Sequence, residues 1–131
     1  MAEVESTEIE WAMLADYALI DTTGKLSIIG VFNRLWAPSF PTLHPLLFVV
    51  AAWRGAPHAV LAVELRLWGP SKDLVLTGEQ RVELGPDGRS SGVFRLSPLP
   101  MASPGEYIVE LMADAVSVAH LALTIEQSEQ Q

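Results

Sequence analysis

The chain is 131 residues long and half hydrophobic, with sixteen acidic residues against eight basic ones and a net charge of −8, enough for one domain with a single substantial core. It has no cysteine, which excludes a disulfide framework and thiolate metal sites. The basic residues lie singly along the chain, which disfavours a nucleic-acid partner, and the longest apolar run, Leu46–Trp53, is eight residues where a membrane helix needs ~20.

Residues 1–10 carry four glutamates and no basic residue, the reverse of a secretory leader, and read as a flexible acidic segment of a cytoplasmic protein. Two β-rich apolar runs follow, 11–20 and 26–36. They are joined by Asp21-Thr22-Thr23-Gly24-Lys25, where Gly24 supplies the positive φ of a tight reversal. A crossing spaced by Pro38, Pro41 and Pro45 leads to the run 46–53, apolar on both parities and therefore expected inside a sheet. Residues 59–68 alternate, with Leu61, Val63, Leu65 and Leu67 on one face and Ala62, Glu64, Arg66 and Trp68 on the other. Gly69-Pro70-Ser71-Lys72 turns the chain into 74–84, where Leu74, Leu76, Val82 and Leu84 share a face and Gly78 suggests a bulge. Gly85-Pro86-Asp87-Gly88 is a second strong turn. Short runs at 93–96, 107–113 and 117–125 close a domain spanning residues 11–126, and 127–131 reads as a polar tail.

Short strands punctuated this often by Gly/Pro turns predict an all-β fold, an antiparallel β-sandwich of about eight strands with immunoglobulin-like or related topology. The expected core is Leu61, Val63, Leu65, Leu74, Leu76, Tyr107, Val109, Leu111, Leu121 and Leu123. The opening LADYALIDTTGKLSIIGVFNRLWAPSFP resembles the start of a bacterial family of small all-β proteins with no assigned activity, and Pro104-Gly105-Glu106-Tyr107 fits the same family. The resemblance implies a β-sandwich and carries over no functional residue. Pro104–Tyr107 also resembles the corner of immunoglobulin-like sandwiches, where a tyrosine hydroxyl ties back to upstream backbone.

If successive strands alternate direction, the turns bearing Asp21, Asp87 and Asp114 share one end, a candidate calcium site because that ion wants six to eight oxygens. Trp11, Trp36, Trp68 and Phe40 then share the other end, with Trp53 alone at the first. Gly88-Arg89-Ser90-Ser91-Gly92 matches the string of a nucleophile elbow but lacks the strand-to-helix turn that lifts the serine, so it reads as a hairpin loop. His44, His58 and His120 fall on three segments without metal-ligand spacing. A three-residue loop Asp114–Val116 sets Glu110 opposite His120 as a surface pair.

These observations favour a non-enzymatic protein-binding or assembly module with no cofactor. Its expected partner surface is Arg34, Trp36, Phe40 and Trp68, stiffened by the prolines of the crossing. The competing role for Trp36 and Phe40 is to plug the open end of the core. A homodimer is expected, made through the strand 59–68 or through 11–20 as an edge. The rival functions are a small hydrolase or calcium/metal-dependent enzyme, and a structural subunit of a larger assembly, including a phage-derived one.

Overall fold

In the computed structural model, which describes residues 7–129, the alternating runs form eleven strands. They are β1 (Glu8–Ile20), β2 (Leu26–Phe32), β3 (Arg34–Ala37), β4 (Thr42–His44), β5 (Leu47–Arg54), β6 (Val60–Trp68), β7 (Leu74–Glu83), β8 (Arg89–Leu96), β9 (Leu99–Met101), β10 (Gly105–Ala113) and β11 (Val116–Gln127). A four-stranded sheet, β2-β1-β5-β8, packs on a five-stranded sheet, β3-β11-β10-β6-β7, and β4 and β9 form a short pair. The all-β sandwich is as expected. The acidic leader is shorter than expected: residues 1–6 lie outside the described residues, Glu8–Glu10 already belong to β1, and Ile9 packs on the core. At the other end Gln127 closes β11, and the Ser128 N–H donates to the Ala37 carbonyl.

The run 26–36 is two strands, not one. β2 pairs antiparallel with β1. The chain then steps across at Asn33, whose carbonyl accepts the Thr124 N–H at 2.9 Å, and β3 lies parallel to β11. The sandwich is therefore antiparallel apart from this pair. β2 and β5 both run antiparallel to β1, so they share a direction, and strict alternation fails because the run 26–36 already reverses at Asn33. The turns after β5, β7 and β10 do gather at one end, where the Gly55 N–H donates to the Gly88 carbonyl and the Asp114 N–H to the Ala62 carbonyl. The Asp21 turn lies at the opposite end. Trp11, next to Ala52 in the ladder, sits at the end of Trp53 rather than with Trp36 and Trp68.

Every residue of β5 from Leu47 to Trp53 is buried, in keeping with a strand flanked by β1 and β8. Its inward side joins the main core with Leu61, Leu65, Tyr107, Leu111 and Leu123. Burying one such side chain stabilises the fold by roughly 1.5–3 kcal/mol. Its outward side is covered by the chain's own first hairpin: Phe48 and Val50 cluster with Ala18, Leu26 and Ile28, and the Tyr17 ring meets Phe48 edge-on at 5.3 Å. Leu14 and Ala18 have the same parity yet belong to different clusters. Between them the Asp16/Gly30 pair drops out of the ladder, and Gly30 adopts φ +71°.

Leu61, Val63, Leu65, Tyr107, Val109, Leu111 and Leu123 are buried as expected, but Leu76 and Leu121 are half-buried and Leu74 is 49% exposed. The cause is a bulge at Val75: Leu67 opposes Leu76 while Trp68 opposes Leu74, so Val75 is the extra residue and packs inward. Gly78 is not the bulge; the Phe94 ring lies against it. Tyr107 forms the anticipated corner, its hydroxyl donating to the Ser103 carbonyl at 2.7 Å.

The two sides of the sandwich differ. On one side β7 and β8 meet: Gln80 Nε2 donates to the Val93 carbonyl at 3.0 Å, and Gly92 leaves room for the Gln80 side chain. On the other side β2 and β3 end their sheets as edges.

Candidate functional site: the open side of the sandwich

Arg34 and Trp36 stand on the outer face of β3, both turned to Glu126 on β11. Arg34 Nη1 lies 3.5 Å from Glu126 Oε1, and Trp36 Nε1 donates to Glu126 Oε2 at 3.0 Å. The Trp36 ring stays 58% exposed. Phe40 is half-buried and packs against the main core. Of the two residues able to plug the crossing, Phe40 does so and Trp36 does not. Trp68, on β6, is half-buried and separated from β3 by β11 and β10. The four predicted surface residues share one end of the molecule but do not form one patch.

Trp68 belongs to a polar group on the outer face of the five-stranded sheet. Its indole N–H donates to Glu110 Oε1 at 3.1 Å. His120 Nε2 lies 3.5 Å from Glu110 Oε2, and Arg66 forks onto Glu64 at 3.1 Å. Hydrogen bonds from Ser117 and Trp68, aided by the charges of His120 and Arg66, hold the Glu110 carboxyl below its ordinary range against the opposing effect of burial. Ser117 and His120 both address Glu110, so the carboxylate is a common acceptor; a nucleophile relay needs the histidine between serine and acid. The Glu110/His120 register is as expected, reached by another route. The turn is the two residues Asp114 and Ala115, with φ +49° and +68°, and Val118 is an extra bulged residue.

Each turn aspartate is engaged by backbone, Asp21 and Asp87 within their own loops and Asp114 by the neighbouring β6. Asp21 accepts from Thr23 Oγ1 at 2.6 Å and from the Thr23 and Lys25 N–H groups, which lowers its pKa, the Thr23 hydroxyl most. Asp87 accepts from the Arg89 N–H, and Asp114 from the Ala62 N–H. Asp21 lies at the far end from the other two, so the expected three-carboxylate cluster does not form. Among the described residues no three His, Asp or Glu side chains come within reach of one ion. Gly88–Gly92, expected as a loop, runs into β8, which starts at Arg89 and pairs Ser90 with Trp53. That places the serine on a flat ladder rather than at an elbow.

The exposed apolar surface is richest on the first hairpin, whose β2 borders the open side. Among the described residues eleven large hydrophobics are exposed, and six of them lie on the β1–β2 hairpin: Trp11, Tyr17, Leu19, Ile20, Ile29 and Val31. Ile29 and Val31 are each 61% exposed. Trp36 follows on β3, and a groove of about 440 Å³ lined by Met13, Val31, Phe32, Asn33, His120 and Leu121 lies between the first hairpin and β11. Sequence reasoning missed Ile29 and Val31. The available signal was Ile28-Ile29, apolar on both parities in a strand that no later segment was shown to flank.

Two facing sheets, a core of alternating inward residues and a tyrosine corner define a β-sandwich of the broad class that includes immunoglobulin-like domains. The chain belongs to a family of unknown function, DUF6941, which it matches over residues 10–126. No curated protein matches the sequence. Among solved structures it is similar to the Pseudomonas fluorescens alkylpurine DNA glycosylase AlkC bound to DNA containing an abasic site analog, with a TM-score of 0.61 and 9% identity over 92% of this chain and 30% of that one. It is similar to the β-glucosidase from Listeria innocua in complex with glucose, with a TM-score of 0.58 and 11% identity over 96% of this chain and 17% of the enzyme. The CARDB domain of the PF1109 protein from Pyrococcus furiosus, in complex with di-metal ions, matches end to end, with a TM-score of 0.52 and 12% identity over 98% of this chain and 99% of that one. This chain thus spans under a third of the glycosylase and about a sixth of the glucosidase. At these identities the likeness shows the fold.

Proposed function

We propose that this protein is a non-enzymatic assembly module of the cytoplasm, a β-sandwich that self-associates through its open side as a homodimer. One observation carries the reading: six of the eleven exposed large hydrophobics among the described residues lie on a single hairpin, and β2 in that hairpin has no charged residue in a chain of net charge −8. A concentrated apolar surface on an otherwise acidic molecule marks a contact site. A second acidic copy approaches with least repulsion where charge is missing. Strand 59–68, expected at the contact, is interior as β6, and 11–20 is interior as β1; the edge available beside the exposed hydrophobics is β2. Arg34 and Trp36 flank that edge and extend the surface, whereas Phe40 belongs to the core and Trp68 to the polar group around Glu110. The DNA, sugar and metal ions held by the structural relatives do not transfer. The eight basic residues here are outnumbered two to one by acidic ones, and the turn carboxylates are spent on nearby backbone N–H groups.

Light scattering at micromolar concentration tests the reading. A mass twice 14.3 kDa supports it, and a single-chain mass at that concentration removes it.

A further inference from the structure

We infer that the dimer forms by antiparallel pairing of β2 with β2 of a second copy, centred on Ile29, so that two four-stranded sheets become one of eight strands. The inference rests on the self-association proposed above and names its joint. Four strands end the two main sheets: β2, β8, β3 and β7. β7 and β8 face each other and are tied by Gln80, and both carry charges: Glu79, Arg81 and Glu83 on β7, Arg89 and Arg95 on β8. β3 is four residues long. β2 has seven residues, Leu-Ser-Ile-Ile-Gly-Val-Phe, with neither charge nor proline. Monomeric sheet proteins protect such edges with lysine, proline or a covering segment, and this edge has none of those residues.

The geometry selects the occupant. In the hairpin the Asp21 N–H donates to the Lys25 carbonyl at 2.9 Å. Odd-numbered residues of β2 therefore direct their backbone groups to β1, while Leu26, Ile28 and Phe32 direct theirs to the open edge. A second β2 running antiparallel offers the Leu26 groups of each copy the Phe32 groups of the other, because a two-fold axis matches each donor with the same strand's acceptor. Pairing all of 26–32 with itself sets Ile29 opposite Ile29, Val31 opposite Ser27, and Ile28 opposite Gly30, where there is no side chain to crowd it. The most exposed apolar side chains of the strand are thereby covered.

The chain has no native cysteine, so single cysteines report the register. Directly opposed residues have Cα atoms about 4.5–5.5 Å apart, inside the range a disulfide spans. Oxidised Ile29→Cys is expected to run as a covalent dimer. Val31→Cys is not, because its copies stand four residues apart along the ladder, about 13 Å. Ile29→Lys, which opposes two like charges at the axis, is expected to give the single-chain mass at concentrations where the parent is a dimer. Val116→Lys, at an equally exposed valine on the far turn, keeps the dimer. Circular dichroism confirms that each variant is folded. A dimeric parent in which Ile29→Cys fails to cross-link, Val31→Cys cross-links instead, or Ile29→Lys stays dimeric overturns this joint and leaves self-association standing. A monomeric parent overturns both.

Discussion

The β7/β8 side and the β2/β3 side of this sandwich solve the same problem in different ways. Both are places where a sheet ends and backbone groups need partners. At β7/β8 small residues let the two sheets approach: Phe94 lies over Gly78, and Gln80, beside Gly92, bonds the Val93 carbonyl. At β2/β3 the chain itself changes sheets at Asn33, and the strand left behind keeps Ile29 and Val31 in solvent. A sandwich side is closed by side chains that reach across it, and where the backbone crosses instead, a strand edge is left unpaired.

This contrast predicts how substitutions divide. Phe94→Ala on the closed side removes a buried ring and should cost about 3–5 kcal/mol of unfolding free energy in a urea titration. Trp36→Ala on the open side removes a larger ring but should cost no more than about 1 kcal/mol, the loss of one exposed hydrogen bond. If Trp36→Ala destabilises as much as Phe94→Ala, the open side is not open. Gly92→Ala should cost about 1 kcal/mol, because the new methyl displaces the Gln80 amide and breaks its bond to Val93; Gln80→Ala should then cost about the same, and the double variant no more than either. Tyr107→Phe, at the corner and on neither side, should lose roughly 0.5–1.5 kcal/mol, read from the shift in Tm.

The smallest expected effect concerns pH. Glu110 is held below its ordinary value of 4.5 by Ser117 and Trp68, so the native state favours the charged form. Its contribution is fully present above pH 4.5 and is lost as pH falls through the lower folded value. Melting curves should show Glu110→Gln less sensitive to acid than the parent below pH 4.5. Equal acid sensitivity would mean that the group around Trp68 does not stabilise the carboxylate.

What could be read along the chain was whatever depends on near neighbours. The 21–25 reversal follows from Gly24 beside an aspartate able to cap it, and the bonds from Thr23 and Lys25 to Asp21 are that cap. The inward row of β6 follows from its period of two. The interior place of β5 follows from a run apolar on both parities, and the corner at Tyr107 from the Pro-Gly before it. The misread positions share a different property. Leu74 was placed inward because alternation was counted without the extra residue Val75, which only the ladder with β6 reveals. Asp21 groups with Asp87 and Asp114 only if the run 26–36 is a single strand, and it is not: β2 and β3 run in opposite directions either side of Asn33.

The candidate site was legible in part. Trp36 and Arg34 were singled out as aromatic and cationic residues on a stiff segment and do lie at the surface, but Phe40, chosen on the same grounds, is core. Side-chain chemistry alone could not separate two aromatics four residues apart, since burial depends on which sheet lies behind each. Composition, periodicity and turn chemistry by themselves determined an all-β sandwich, its first hairpin and most of its inward rows, because those signals arise within a few bonds of one another. Which strands lie side by side, which edges stay free, and hence where a partner could add were decided only when the sheets closed. Pairing is made between segments far apart in the chain, and no local pattern in β2 records that β3 has left it for β11.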